Sequence, residues 1–102
     1  MNGQQTPVSD RMHLRLYVAG DEANSRIARE NLKAICASNG HAGHEIEIVD
    51  VLQHPERALE RGVFVTPALE ILSPAPGGMI YGNLSDRDAL CACFPQADGT
   101  GP

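Results

Sequence analysis

The sequence predicts an α/β domain built on a mixed four-stranded sheet in the order β-α-β-(α)-β-β-α. Three observations carry this. Aliphatic residues alternate at Leu14, Leu16 and Val18, the period-2 pattern of a strand with one buried face. A second alternating segment around Ile46 and Ile48 follows after about 27 residues that contain a helical stripe, long enough for a parallel crossover. Finally, proline and glycine turn chemistry between residues 73 and 78 separates two short apolar runs, as in an antiparallel hairpin.

Each element has its own warrant. In the first strand His13, Arg15 and Tyr17 interleave with the aliphatics, and Gly20 and Asp21 end it. Asn24 or Ser25 is placed to cap the next helix. There Ala28, Leu32, Ile35 and Cys36 make one apolar stripe opposite Arg26, Arg29, Glu30 and Lys33. Asn39-Gly40 predicts a left-handed helix end. The second strand covers residues 45–51, with Val49, Val51 and Leu52 predicting a more buried end. Pro55 suits a first helical turn and Gly62 a helix end, giving a short helix within 54–61. Residues 64–72 hold a Thr66-Pro67 step and then Ala68, Leu69, Ile71 and Leu72 as the third strand, and 79–82 return as the fourth. Ser85 at the cap with Asp88 three residues on is a variant capping box, opening a last helix with Leu90, Cys93 and Phe94 on its apolar side. Residues 1–11 and 95–102 read as a flexible lead and tail around a folded domain at 12–94.

Composition narrows the function. The chain has 102 residues and a net charge of -5, room for one small domain and a charge that opposes binding to nucleic acid or an acidic membrane. No basic segment followed by an apolar stretch opens the chain, and no run of about 20 apolar residues exists for a bilayer. A cytoplasmic protein is expected. Three cysteines, an odd number, argue against a disulfide framework.

The element order, with a proline opening the third strand, is thioredoxin-like. A redox C-x-x-C would lie where the first strand turns into the first helix, because a helix N-terminus favours thiolate. Residues 19–26 hold no sulfur there. Cys91 and Cys93 point about 200° apart on a helix and cannot easily share an ion; with Cys36 they read as packing residues. His41-x-x-His44 has chelating spacing, with His13 and His54 as nominal further ligands, but it lies in a glycine-containing loop and reads as solvated. Phosphate-binding glycine motifs and a G-x-S-x-G elbow are missing. Asp86 and Asp88 in a first helical turn favour the macrodipole rather than acid/base work. No catalytic, cofactor-binding or metal residue is assigned. Thr66-Pro67 is the cis-proline candidate.

Leu14-Arg15-Leu16-Tyr17-Val18-Ala19-Gly20, Asn24-Ser25, Ile48-Val49-Asp50-Val51-Leu52, Pro55, Thr66-Pro67-Ala68-Leu69 and Gly82-Asn83-Leu84-Ser85-Asp86-Arg87 together resemble the KaiB family. The resemblance implies a non-enzymatic clock or timing adaptor that docks on the ATPase ring of KaiC, competes there with a KaiB-like sensor kinase domain and sequesters KaiA. It also implies a metamorphic chain, in which a resting, oligomeric fold with a rearranged C-terminal half exchanges with the thioredoxin-like monomer. Thr66 and Pro67 would then sit in the structural switch. Ser73-Pro74-Ala75-Pro76-Gly77-Gly78-Met79 stands where family members carry a proline run followed by basic residues, and Pro95 cuts the last helix short, so the thioredoxin-like form is expected. The partner-binding face is placed at the first helix (Asn24, Arg26, Arg29, Lys33) and the second-strand edge (Glu45, Glu47), since an exposed edge accepts a partner strand. Two other readings stand beside it: a redox or stress protein using Cys91 or Cys93, and a detached sensory module that interacts with a histidine kinase.

Overall fold

The computed structural model describes residues 12–38, 44–74 and 77–92. Strand β1 (His13–Val18) is followed by helix α1 (Ala23–Ser38), β2 (Glu45–Asp50), α2 (Pro55–Glu60), β3 (Ala68–Ser73), β4 (Gly78–Tyr81) and α3 (Arg87–Ala92). The sheet order is β2-β1-β3-β4. β1 runs parallel to β2 and antiparallel to β3, and β3 pairs antiparallel with β4. The mixed thioredoxin-like sheet expected from the sequence is therefore the one observed.

The alternation in β1 divides the molecule. Leu14, Leu16 and Val18 face a core with Met12, Leu69, Ile71, Leu84 and Leu90, closed by Ala28, Leu32 and Ile35 of α1. Cys36 packs half-buried against it. Tyr17 faces the other way, with Val49, Ala58, Val63 and Ala68. So α1 and α3 cover one face, and only the short α2 covers the other.

Several local expectations shift. Ser25 is not the cap of α1: it is buried, and its Oγ accepts the Ala19 N–H at 3.0 Å. Glu22 caps instead, its Oε1 accepting the Ser25 N–H at 3.2 Å, because a longer carboxylate reaches the free amide from one residue before the helix. At α3 the cap is Asp86, whose Oδ1 accepts the Ala89 N–H at 3.1 Å, while Ser85 stays exposed. Leu52 is 71% exposed rather than buried, because β2 ends at Asp50 and the chain turns away. Ile46 and Ile48 are also exposed, since β2 is an edge strand. Strand β3 begins at Ala68, directly after the Thr66-Pro67 step as expected, and Phe64 and Val65 precede it.

Helix α2 ends as Gly62 suggested. Gly62 has φ +72°; its N–H donates to the Leu59 carbonyl and the Val63 N–H to that of Ala58. That is the Schellman arrangement, with Val63 and Ala58 making its apolar contact. Thr66-Pro67 is cis, and Ser73-Pro74 is a second cis bond that the sequence did not signal. Asn39-Gly40, His41, Cys93 and Phe94 lie outside the described residues.

Candidate protein-interaction surface

The strand directions gather loops at one end of the sheet. β1 and β2 finish there, β3 starts there, and β4 finishes opposite the start of β3, with Tyr17 across from Ala68 and Ala68 across from Tyr81. Residues 19–22, 51–54, 64–67 and 82–84 therefore meet. Asp50 ties two of these loops, its Oδ1 accepting the Gly20 N–H at 3.1 Å and the Leu52 N–H at 3.0 Å. The Gly82 N–H donates to the Pro67 carbonyl at 2.9 Å. Gly20 sits at φ +55°, a conformation that favours glycine.

This end is apolar without being buried. Leu52 (71% exposed), Phe64 (78%), Val65 (57%) and Tyr81 (54%) are half of the large exposed hydrophobics among the described residues. They spread across this end of the sheet, from the loop after edge strand β2 to edge strand β4, and apolar exposure that recurs along one end marks an interaction site in a way that single exposed residues do not. The backbone of Phe64, Val65 and Thr66 makes no hydrogen bond to another described residue, so main-chain donors and acceptors accompany the apolar side chains. Sequence reasoning missed this exposure because Leu52 reads as a buried strand end and Tyr81 as a strand position, while Phe64 and Val65 carry no local signal that they face solvent. The one available signal was Pro67, which delays the start of β3.

The residues placed on the partner face by sequence are only partly together. Asn24 accepts from the Asn83 side chain at 3.1 Å, and Asn31 donates to the Asn83 carbonyl at 3.0 Å, joining α1 to the loop before α3. Arg26 lines a shallow groove along α1 with Ala23, Ile27, Glu30 and Asn31. Arg29 is 3.9 Å from Asp21, and Lys33 is exposed. Glu45 is exposed on β2. Glu47 points to the face opposite α1, where Arg15 and Arg57 hold it; it does not share a surface with the α1 cations. Thr66 and Pro67 lie at the sheet end just described.

The α2 face carries a polar network. Arg15 Nε donates to Glu47 Oε1 at 2.8 Å and Arg57 Nη1 lies 2.7 Å from Glu47 Oε2. Tyr17 Oη donates to Glu70 Oε1 at 2.8 Å, and Arg61 Nε to Glu70 Oε2 at 2.9 Å. Hydrogen bonds from Arg57 and then Arg15 lower the Glu47 pKa to about 2. Glu70 is only 5% exposed. Burial alone would raise its pKa, but hydrogen bonds from Arg61 and Tyr17, with the charges of Arg61 and Arg15, outweigh it and hold the group below the ordinary carboxylate range. Burial pushes the Tyr17 hydroxyl up.

The β1–α1 turn carries Gly20, Asp21 and Glu22 where a thioredoxin-type dithiol would lie. Cys36 is remote from it along α1, and burial raises its thiol pKa, which disfavours thiolate. No three His, Cys, Asp or Glu side chains among the described residues gather in a metal-holding group, and no helix there is long and apolar enough to cross a membrane. Fold and surface together define a thioredoxin-like domain whose usual redox turn has no sulfur and which exposes Leu52, Phe64, Val65 and Tyr81 at one end of its sheet. The N-terminal domain of Synechococcus elongatus SasA shares this fold, with a TM-score of 0.70 at 21% identity over 87% of this chain and 86% of that domain. Oxidised mitochondrial thioredoxin 3 from Saccharomyces cerevisiae does too, with a TM-score of 0.66 at 16% identity over 83% and 77%. In sequence, residues 15–95 match the KaiB domain. The circadian clock oscillator protein KaiB of Picosynechococcus sp. is 40% identical over 77 residues, 76% of this chain and 74% of that protein. The chain belongs to the KaiB family.

Proposed function

We propose that this chain is a non-enzymatic clock or timing adaptor that binds a KaiC-type ATPase ring and modulates its phosphorylation state or signalling output. The observation that carries the reading is the exposure of Leu52, Phe64, Val65 and Tyr81 along one end of the sheet, on a chain whose relatives are named clock oscillator proteins. Apolar side chains beside backbone groups bonded to no described residue supply area and directional hydrogen bonds, the combination a protein partner uses. Arg26, Arg29 and Lys33 on α1 extend the surface with charge, which acts on encounter rate and orientation more than on affinity. The fold in common with the SasA domain supports competition by a KaiB-like sensor kinase domain for the same ring, and KaiA is a further partner in this reading. No cofactor takes part.

The test is co-elution of the purified chain with a KaiC-type ATPase in both nucleotide states. Binding is expected in one state, weakened more than about tenfold by Phe64→Asp or Leu52→Asp, with the circular dichroism of the free variants unchanged. Absence of binding in both states, or binding indifferent to both substitutions, removes the proposal.

A further inference from the structure

Helix α2 has little to hold it by apolar contact. It is six residues long, Ala58 is its one buried side chain, and Leu59 is exposed. A helix this short has no stability of its own, and its Schellman end closes the last turn without adding a charge contact to the sheet. Arg57 and Arg61 do add one. Arg57 lies within α2 and Arg61 is the residue that caps its end, and each grips a carboxylate on a different strand: Arg57 takes Glu47 of β2 at 2.7 Å, and Arg61 takes Glu70 of β3 at 2.9 Å.

Between those strands lies β1, and its Arg15 is the register partner of both Glu47 and Glu70. Arg15 Nε is 2.8 Å from Glu47 Oε1 and its Nη1 is 3.7 Å from Glu70 Oε1, with the Tyr17 hydroxyl also on Glu70. The contacts close a circuit from α2 through β2, β1 and β3 back to α2, in which three cations share two carboxylates. Beyond it on the same sheet face are His13 and Glu45, which pair with each other in register, and the uncharged Met79 of β4. The arrangement depends on register. Slipping β3 by one residue against β1 would turn Glu70 toward the aliphatic core under α1, where an ionised carboxylate is heavily disfavoured.

We propose that this ring of ion pairs, closed through the α2 backbone between Arg57 and Arg61, is a latch: it fixes α2 on the sheet and holds β3 in register with β1. Breaking it lets residues 55–63 open as one unit, baring the apolar floor formed by Tyr17, Val49 and Ala68. The latch belongs to the chain by itself and does not depend on the identity of any partner.

Hydrogen exchange on the full chain at neutral pH tests it, comparing the unaltered protein with Arg57→Gln, Arg61→Gln and the double variant. Glu60→Gln, on the same helix but outside the ring, is the control. Each arginine variant is expected to speed exchange at residues 59–63 by about threefold or more, the scale of a part-exposed ion pair, with Leu16 and Leu32 unchanged. The double variant should fall short of the product of the two single effects, because both cut one circuit. Adding about 0.5 M salt should speed the same amides in the unaltered protein and not in the double variant. The latch is overturned if the double variant leaves residues 59–63 unchanged. It is equally overturned if all amides accelerate by one common factor, or if Glu60→Gln matches the arginine variants.

Discussion

Tyr17→Phe keeps the ring of a fully buried side chain and deletes one oxygen. That oxygen donates to Glu70 Oε1 at 2.8 Å and accepts from Arg15 Nη1 at 3.4 Å. Since Glu70 keeps Arg61 on its other oxygen, it stays ionised at neutral pH, and the loss is that of one hydrogen bond to a buried charge, about 2 kcal/mol. In a domain of this size that corresponds to a fall in Tm of roughly 8–16 °C. Below the folded-state pKa of Glu70 the carboxyl is neutral, the lost bond is worth only about 1 kcal/mol, and the two proteins should converge. The assay is urea denaturation followed by circular dichroism at pH 7 and at a pH below the Glu70 midpoint, that midpoint being found by NMR titration of the carboxyl. Its midpoint should rise in the variant, because a bond that held the pKa down is gone. A loss below about 0.5 kcal/mol at pH 7, an equal loss at both pH values, or an unmoved midpoint would refute the reasoning.

Other perturbations read other parts of the molecule. Gly77→Ala places a Cβ 2.6 Å from the Ile71 carbonyl oxygen at φ +77°, so the β3–β4 hairpin should lose about 2–3 kcal/mol. Gly78→Ala meets nothing within 4 Å and should be near neutral, both read from urea midpoints. Asp86→Ala removes the acceptor of the Ala89 N–H and should cost about 1 kcal/mol, with exchange rising first in α3. Glu47 and Glu70 both have folded pKa values below their unfolded ones, so the stability they contribute is complete above the unfolded carboxylate pKa of about 4.3 and drains as pH falls toward the folded values. The urea midpoint should hold between pH 7 and 5 and fall steadily below about 4.3; a midpoint unchanged down to pH 3 would contradict the network's role.

The parts of the fold legible in the sequence were those where one residue's neighbours lie on its own element. Leu14, Leu16 and Val18 declare a strand face by alternation, and Ala28, Leu32 and Ile35 a helix face by spacing, so β1 and α1 appear where the pattern puts them. Helix starts were legible only to within one to three residues: the caps are Glu22 and Asp86 in place of Asn24 or Ser25 and of Ser85, because a side-chain carboxylate at either neighbouring position can also accept a free first-turn amide. The sheet end was not legible. Phe64 and Val65 have strand-like composition, and their exposure follows from β3 beginning at Ala68, which is a property of the pairing with β1 and β4. Glu47 read as a free edge charge for the same reason. Its partners Arg15 and Arg57 are brought to it by strand register and by the docking of α2, neither of which local spacing encodes.

The replacement of sulfur by Asp21 and Glu22 has a structural consequence for the proposed docking. In this chain the β1–α1 turn is occupied in holding itself: Glu22 engages Ser25, Ser25 engages Ala19, and Asp50 binds Gly20 and Leu52. The Glu22, Ser25 and Asp50 side chains there are thus already hydrogen-bonded within the domain, and Asp21 stands exposed. Across the sheet end the residues before Pro67 are the reverse, with backbone groups paired to no described residue and the Phe64 and Val65 side chains in solvent. A partner that covers the β1–α1 turn competes with existing hydrogen bonds, whereas one that covers Phe64 and Val65 removes apolar area from water and adds bonds to groups that no described residue engages. At roughly 25 cal/mol per Å² of apolar area, the second side offers the larger return. Binding energy in the proposed complex should therefore concentrate on the β3 side of the sheet end, with the acidic turn acting on orientation.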